Sequence, residues 1–229
     1  MDESTIKVMI QPTKGKSSTG QMWVMHAPEA KMVCFHYDKS RSAKVARQLI
    51  PPDYGGILQT DGYESYGWAD KMENIIHAGC MAHSRRKFDE ALSNDKARAT
   101  AALNIFKEIF AIEALAREQE LNAEQRLDLR KEKCALLMAQ LKTWCIQEIR
   151  NINPGGLTGK AINYTLNQWG RLEQFLHNGR IEISNNQIEN LIRPLAVGRK
   201  NWLFAGSEEG ARRLAIIGSV KNYSHILLS

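Results

Sequence analysis

Residues 181–207 read Ile181-Glu182-Ile183-Ser184-Asn185-Asn186-Gln187-Ile188-Glu189-Asn190-Leu191-Ile192-Arg193-Pro194-Leu195-Ala196-Val197-Gly198-Arg199-Lys200-Asn201-Trp202-Leu203-Phe204-Ala205-Gly206-Ser207, and no other segment packs so many polar and cationic groups around one carboxylate, Glu189. Ser184 or Asn185 can cap a helix. Ile188, Leu191 and Ile192 then recur at one-turn spacing, which sets Glu189 and Arg193 four apart on a neighbouring face. Pro194 is expected to stop or kink that helix. Beyond it, Gly198-Arg199-Lys200-Asn201 reads as a cationic loop and Trp202-Leu203-Phe204 as a buried anchor. Alone, a Glu and Arg four apart are a solvated pair and the basic tetrapeptide is a turn. Together they suggest a carboxylate held near phosphates.

Working outward, residues 90–180 carry helical periodicity with essentially no strand signal as far as Arg150. Leu127, Cys134, Met138, Leu141, Cys145 and Ile149 fall on one stripe, and Ala161, Thr165, Trp169, Leu172 and Leu176 on a second. Asn153-Pro154-Gly155-Gly156 separates them. Both stripes read as core packing. Residues 1–89 read differently: 5–9, 21–25 and 32–37 are short strands with tight connections, an antiparallel meander, with a turn over 11–20. Ser42–Ile50 is helical until Pro51-Pro52-Asp53. Gly56–Gln59 and Asn74–Ala78 are short apolar runs, so Asp61 stands where a buried strand stops, and Ser84 is expected near the cap of a following helix. The expected division is 1–89, a helical insertion over 90–180, and 181–229 carrying Glu189, in an α/β (α+β) chain with a mixed sheet. Such an order would let Asp2, Asp61 and Glu189 converge at one sheet edge. Close carboxylates repel unless cations neutralise them, and Mg²⁺ does so through hard oxygen ligands while bridging phosphate oxygens.

The 229 residues are 43% hydrophobic, enough for a sizeable core, and the net charge of +6 permits a polyanionic partner without demanding one. The four cysteines, Cys34, Cys80, Cys134 and Cys145, form no CxxC pair and fit a reducing cytosol. No apolar run is long enough to span a membrane, and the first residues are unlike a signal peptide. Cys80 and His83, with Cys34 and His36, could be two halves of a zinc site, though the spacing matches no recognised one. Asp38 beside Ser40-Arg41-Ser42 is a reserve candidate for the first ligand or simply a turn residue. Arg85, Arg86 and Lys87 are a DNA-facing cluster or a solvated helix start; Tyr63 and Trp68 are core residues before they are base-stacking platforms.

Several segments carry a family likeness: Asp2-Glu3-Ser4 with Lys7-Val8, Thr19-Gly20-Gln21-Met22-Trp23, Ser40-Arg41-Ser42, Leu58 to Tyr63, Gly79 to Phe88, and above all Asn185-Asn186 through Gly206-Ser207. With these the chain resembles the catalytic domain of the IS66-family transposases, members of the DDE group. The resemblance implies an RNase H-like fold with a large all-α insertion. It also implies a metal-dependent transposase that cleaves DNA 3′ ends and transfers strands, with Asp2, Asp61 and Glu189 as the acidic ligands of Mg²⁺, replaceable by Mn²⁺. Arg193, Arg199, Lys200, Asn201, Arg85, Arg86 and Lys87 would contact DNA, both element ends and target. It further implies a homo-oligomer in the active complex, accessory proteins of the element, and a bacterial cytoplasmic location at the nucleoid. Family members carry zinc-binding and helix-turn-helix-like segments before the first ligand, so the resemblance reads this chain as truncated at both ends. Ser184 stands where the family has Asp, and Ser4 where it has Thr. Two other readings stay open: an inactive remnant that binds DNA or a partner, and a structure-selective nuclease.

Overall fold

Alternation of apolar and polar residues starts the chain, and the first strand runs further back than the alternation alone required. The computed structural model describes residues 1–9, 16–201 and 205–227, with side chains except at 195, 196, 198–201 and 221–227. In chain order the strands are β1 (Asp2–Met9), β2 (Ser17–Ala27) and β3 (Met32–Asp38), then helix α1 (Ala43–Gln48) and β4 (Gly56–Gln59). A 3₁₀ turn (Glu64–Lys71) leads to β5 (Ile75–Ala78), followed by helices α2 (Met81–Ala91), α3 (Lys96–Glu118), α4 (Ala123–Leu129) and α5 (Ala135–Glu148). Helices α6 (Leu157–Asn167), α7 (Trp169–Leu172), α8 (Asn186–Asn201) and α9 (Glu208–Leu227) complete the order. The class is mixed α/β. Among the described residues the strands form two small sheets in place of one mixed sheet: β1-β2-β3, antiparallel, and β4-β5, parallel.

The chain divides into two units. The first comprises Met1–Tyr54, Glu64–Trp68 and Asn186–Ser229. Here the pairings Asp2↔Val24, Ser4↔Met22, Met22↔Tyr37 and Val24↔Phe35 put Asp2, Ser4, Ile6 and Val8 on one sheet face with Met22, Val24, Phe35 and Tyr37. Ile188 and Ile192 of α8 and Ala211 and Ala215 of α9 pack into that same cluster. Tyr37 lies so close to Gly20 that a Cβ there would stand 2.5 Å from its ring, so glycine at this position of β2 makes room for the phenol. The backbone N–H of Phe35 donates to Ser219 Oγ of α9 at 2.9 Å, and Ala205 bridges the edge of β1 at Val8.

The second unit comprises Gly55–Tyr63 and Ala69–Asn185. Its core is built from both expected stripes: Cys134, Met138, Leu141 and Cys145 from one, Ala161, Trp169 and Leu172 from the other, with Phe88 and Phe106 between them. Asp95 caps α3 by accepting from the Arg98 amide, and Asn122 and Gln125 form a capping box on α4. A π-helical turn, Arg130–Cys134, joins α4 to α5 and turns Arg130 inward. There the Arg130 guanidinium meets Glu113 with side chains 0% and 1% exposed, and donates to the carbonyls of Phe175 and Asn178.

Three local expectations need correction. Ser17–Gly20 belongs to β2 and not to a turn, since its residues pair with Ile6 to Met9; positions 11–15 lie outside the described residues. Helix α8 runs through Pro194 to Asn201, so proline does not stop it and Gly198-Arg199-Lys200-Asn201 is helical, not a loop. The ring removes one helix bond, but Ile188 and Ile192 hold the helix on the sheet, and a lone helical glycine costs only about 1 kcal/mol. Trp202-Leu203-Phe204 lies outside the described residues. Ser84 is not a cap: α2 begins at Met81 with Cys80 in the cap position, and the buried Ser84 hydroxyl bonds Thr165 Oγ1 at 2.6 Å.

Candidate metal and nucleic-acid site

Strand alternation and helix periodicity place two of the three carboxylates. Asp2 opens β1 half-buried, and its Oδ1 accepts the Glu3 backbone N–H at 2.8 Å. It belongs to the sheet face on which α8 packs. Glu189 sits in the first turn of α8, half-buried beside Ile188, and Arg193, one turn on, is exposed. The side chains of Arg199, Lys200 and Asn201, expected on DNA, lie outside the described ones. Asp38, the reserve candidate, is the last residue of β3, paired with Gln21, and its Oδ1 accepts the Ser40 N–H at 2.7 Å.

Asp61 belongs to the second unit, two residues past the end of β4. Ligand sites in parallel sheets gather at strand carboxyl ends, and local bonding fixes the conformation of Asp61 there. Asp61 Oδ1 accepts the Tyr63 N–H at 2.9 Å, an Asx-type turn that fixes the carboxylate. A Cβ on Gly62 would stand 2.4 Å from Tyr164 Oη, so the turn needs glycine to admit the phenol. Burial, reinforced by the Asp61 charge, pushes that phenol up to about 12, so Tyr164 stands as a neutral hydrogen-bonding group beside Asp61.

Behind Asp61 runs a chain of polar contacts. Thr60, fully buried, has Oγ1 2.9 Å from both the Asp61 carbonyl and His77 Nε2. His77 Nδ1 lies 2.7 Å from Asp70 Oδ1, and Asp70 takes Arg171 through Nε at 3.0 Å and through Nη2. Burial, with the Arg171 charge, pushes the His77 imidazole below its ordinary value against the pull of Asp70. Burial works to raise the Asp70 carboxyl, but the hydrogen bonds from Arg171 and His77 outweigh it and hold it low. With its proton on Nδ1 toward Asp70, the neutral imidazole leaves Nε2 to accept, so the single Thr60 hydroxyl proton goes either to Nε2 or to the Asp61 carbonyl. Tyr164, His77, Asp70 and Arg171 escaped sequence reasoning, because residues 70 to 171 meet only through folding; the polar His77 inside the apolar run of β5 was the one available signal.

The basic cluster lies on α2 with Arg85 and Arg86 exposed, Arg85 reaching Asp89 at 3.4 Å and Lys87 reaching Glu90 at 3.6 Å. Surface pairs of this kind contribute roughly 0–1 kcal/mol. Trp68 carries the Arg47 guanidinium 5.2 Å from its ring centre. Cys80 is buried and its sulfur accepts the Asn185 N–H at 3.4 Å. In neither unit, among the described residues, do three or more His, Cys, Asp or Glu side chains form a group that could hold a metal ion. No described helix is long and apolar enough to cross a membrane.

The family model described as "Transposase IS66 family" matches residues 1–213. The chain belongs to the IS66 transposase family. The matched span takes in Asp2, Asp61 and Glu189 together with all of α8. Among curated relatives of this IS66-family chain, the uncharacterized protein y4qI of Sinorhizobium fredii (strain NBRC 101917 / NGR234) is 35% identical over 96% of the chain and 43% of its own length. From the same strain, the uncharacterized proteins y4hP and y4jD are 31% and 29% identical, over 96% and 93% of the chain and 43% and 44% of their own lengths. The chain thus spans under half the length of these relatives. No solved structure matches it.

Proposed function

We propose that this chain is the catalytic part of an IS66-type transposase with an RNase H-like fold, in which Asp2, Asp61 and Glu189 bind Mg²⁺ for DNA 3′-end cleavage and strand transfer. The observation that carries the reading is the packing of α8 on the face of β1 to which Asp2 belongs, which brings Asp2 and Glu189 to one sheet–helix layer of one unit. Asp61 belongs to the second unit, at a strand end held by the Asx turn and the Thr60–His77–Asp70–Arg171 contacts.

The donor set is oxygen only and anionic, the chemistry Mg²⁺ prefers. Such ions supply charge neutralisation at a phosphodiester and activation of a water or a DNA 3′-hydroxyl. The chain's own residues hold and orient. The Asx turn fixes Asp61, the helix start fixes Glu189, and exposed Arg193, Arg85 and Arg86 take DNA phosphates in a sequence-independent, salt-sensitive way. The weak surface pairs of Arg85 and Lys87 exchange readily for phosphate.

Calorimetric titration of Mn²⁺ into the chain and into Glu189→Gln tests the reading. Binding that is lost in the variant supports it; no binding by the folded native chain refutes it and favours the inactive remnant. Cleavage of DNA without regard to element ends would favour the nuclease.

A further inference from the structure

Glu3 follows Asp2 on β1, and strand alternation sends its side chain to the opposite face of the sheet from Asp2. Its side chain is only 1% exposed, yet both carboxylate oxygens are engaged. Oε1 accepts from Arg41, Nε at 2.7 Å and Nη2 at 2.6 Å, and Oε2 accepts a short bond from the Tyr66 hydroxyl. The partners are themselves held. Ser65 Oγ donates to the Arg41 carbonyl at 2.8 Å, and Tyr66, fully buried, meets the Trp23 ring edge-on at 6.2 Å. Trp23 is the cross-strand partner of Glu3, and its Nε1 donates to the Ser40 carbonyl at 3.3 Å. Thus Glu3, Trp23, Arg41 and Tyr66, from four separate stretches of the first unit, close on one point.

The Glu3 side chain is buried while the Arg41 side chain is 44% exposed, so the pair adds little net stability, and what it adds is fixed geometry. A side chain pinned by a two-nitrogen contact on one oxygen and a hydroxyl on the other fixes the rotation of its strand about its own axis. The neighbouring residue is thereby aimed. Asp2 Oδ1 accepts the N–H of Glu3 itself, so the pinned residue also restrains the Asp2 carboxylate through the backbone. At the first residue of a strand, where ends fray, such a restraint has most effect.

We propose that Glu3, clamped by Arg41 and Tyr66, is a positioning residue that aims the Asp2 carboxylate at the metal site. This rests on the reading of Asp2 as a metal ligand. Glu3 is not itself a ligand, since its oxygens are committed on the opposite face. Groups that hold ligands in place typically alter metal affinity by about 10–100-fold when replaced.

The test is Mn²⁺ affinity by calorimetry for the native chain, Glu3→Gln, Tyr66→Phe, Asp2→Asn and the double variant Asp2→Asn/Glu3→Gln, each checked for folding by circular dichroism. Tyr66→Phe removes one hydroxyl and keeps the fold should Glu3→Gln not. The expected result is an affinity loss of about 10–100-fold for Glu3→Gln and a smaller loss for Tyr66→Phe. In the Asp2→Asn background Glu3→Gln should add nothing further. An equal loss in both backgrounds means a general structural role and overturns the proposal, as do native affinities in folded Glu3→Gln and Tyr66→Phe. Absence of Mn²⁺ binding by the native chain overturns the ligand reading and the clamp together, a result distinct from failure of the clamp alone.

Discussion

Replacing Arg130 by Met should unfold the helical unit more readily than any surface change. Arg130 and Glu113 are 0% and 1% exposed, and the guanidinium donates through Nε and Nη2 to both carboxylate oxygens while Nη1 reaches the Phe175 carbonyl at 3.0 Å and that of Asn178 at 3.2 Å. Removing the cation leaves a buried carboxylate without its partner, which costs about 3–5 kcal/mol. With a urea slope of about 2 kcal/mol per M for a domain of this size, the midpoint should fall by about 2 M. Glu113→Leu strands the cation and should cost a similar amount. The double variant removes both charges and should recover at least about 2 kcal/mol of the summed losses, leaving only the two carbonyls short of a donor. Urea unfolding followed by circular dichroism reads all four proteins. Strict additivity of the two single losses, or an Arg130→Met variant within about 1 kcal/mol of native, would refute the reasoning.

Two further outcomes follow from burial. Burial pushes the Cys134 and Cys145 thiols up to about 12, and Cys80 is only 2% exposed while Cys34 is exposed, so a thiol reagent at pH 8 should label Cys34 rapidly and the other three only on unfolding; rapid labelling of more than one site would contradict the described core. His77 lies below its ordinary value of 6.5, so the unfolded chain binds more protons and the stability due to its burial, complete above pH 6.5, is lost as pH falls below that value toward the folded one. His26, lowered chiefly by burial, acts with the same sign; comparing the melting temperature of native chain and His77→Gln from pH 7.5 to 5 isolates His77, whose removal should flatten the fall, and equal slopes would contradict its role.

Much of the local architecture was legible because it depends on period. Alternation located β1, β2 and β3, and the helical stripes through Cys134–Cys145 and Ala161–Leu172 became the core of the second unit. Where a single residue's local preference was set against packing, packing won. Pro194 and Gly198 read as breakers, yet α8 runs through both with Ile188 and Ile192 seated on the sheet. Ser84 read as a cap, and instead its hydroxyl serves a bond between α2 and α6. The supporting contacts of the candidate site were illegible for another reason. Glu3 with Tyr66, and Asp70 with Arg171, are paired by tertiary folding, and no spacing rule joins residues so far apart in sequence. Glu3 could be read only as an acidic neighbour of Asp2, and Tyr164 only as one aromatic on a helix.

As proposed, Asp2, Asp61 and Glu189 act on one metal site. Crystals of the chain grown with saturating Mn²⁺, measured at a wavelength where manganese scatters anomalously, test it most directly. Anomalous peaks coordinated jointly by the three carboxylates at about 2.1 Å, a distance like that of Mg²⁺ to oxygen, are expected. Manganese bound elsewhere, or bound by any of the three without the others, would contradict it.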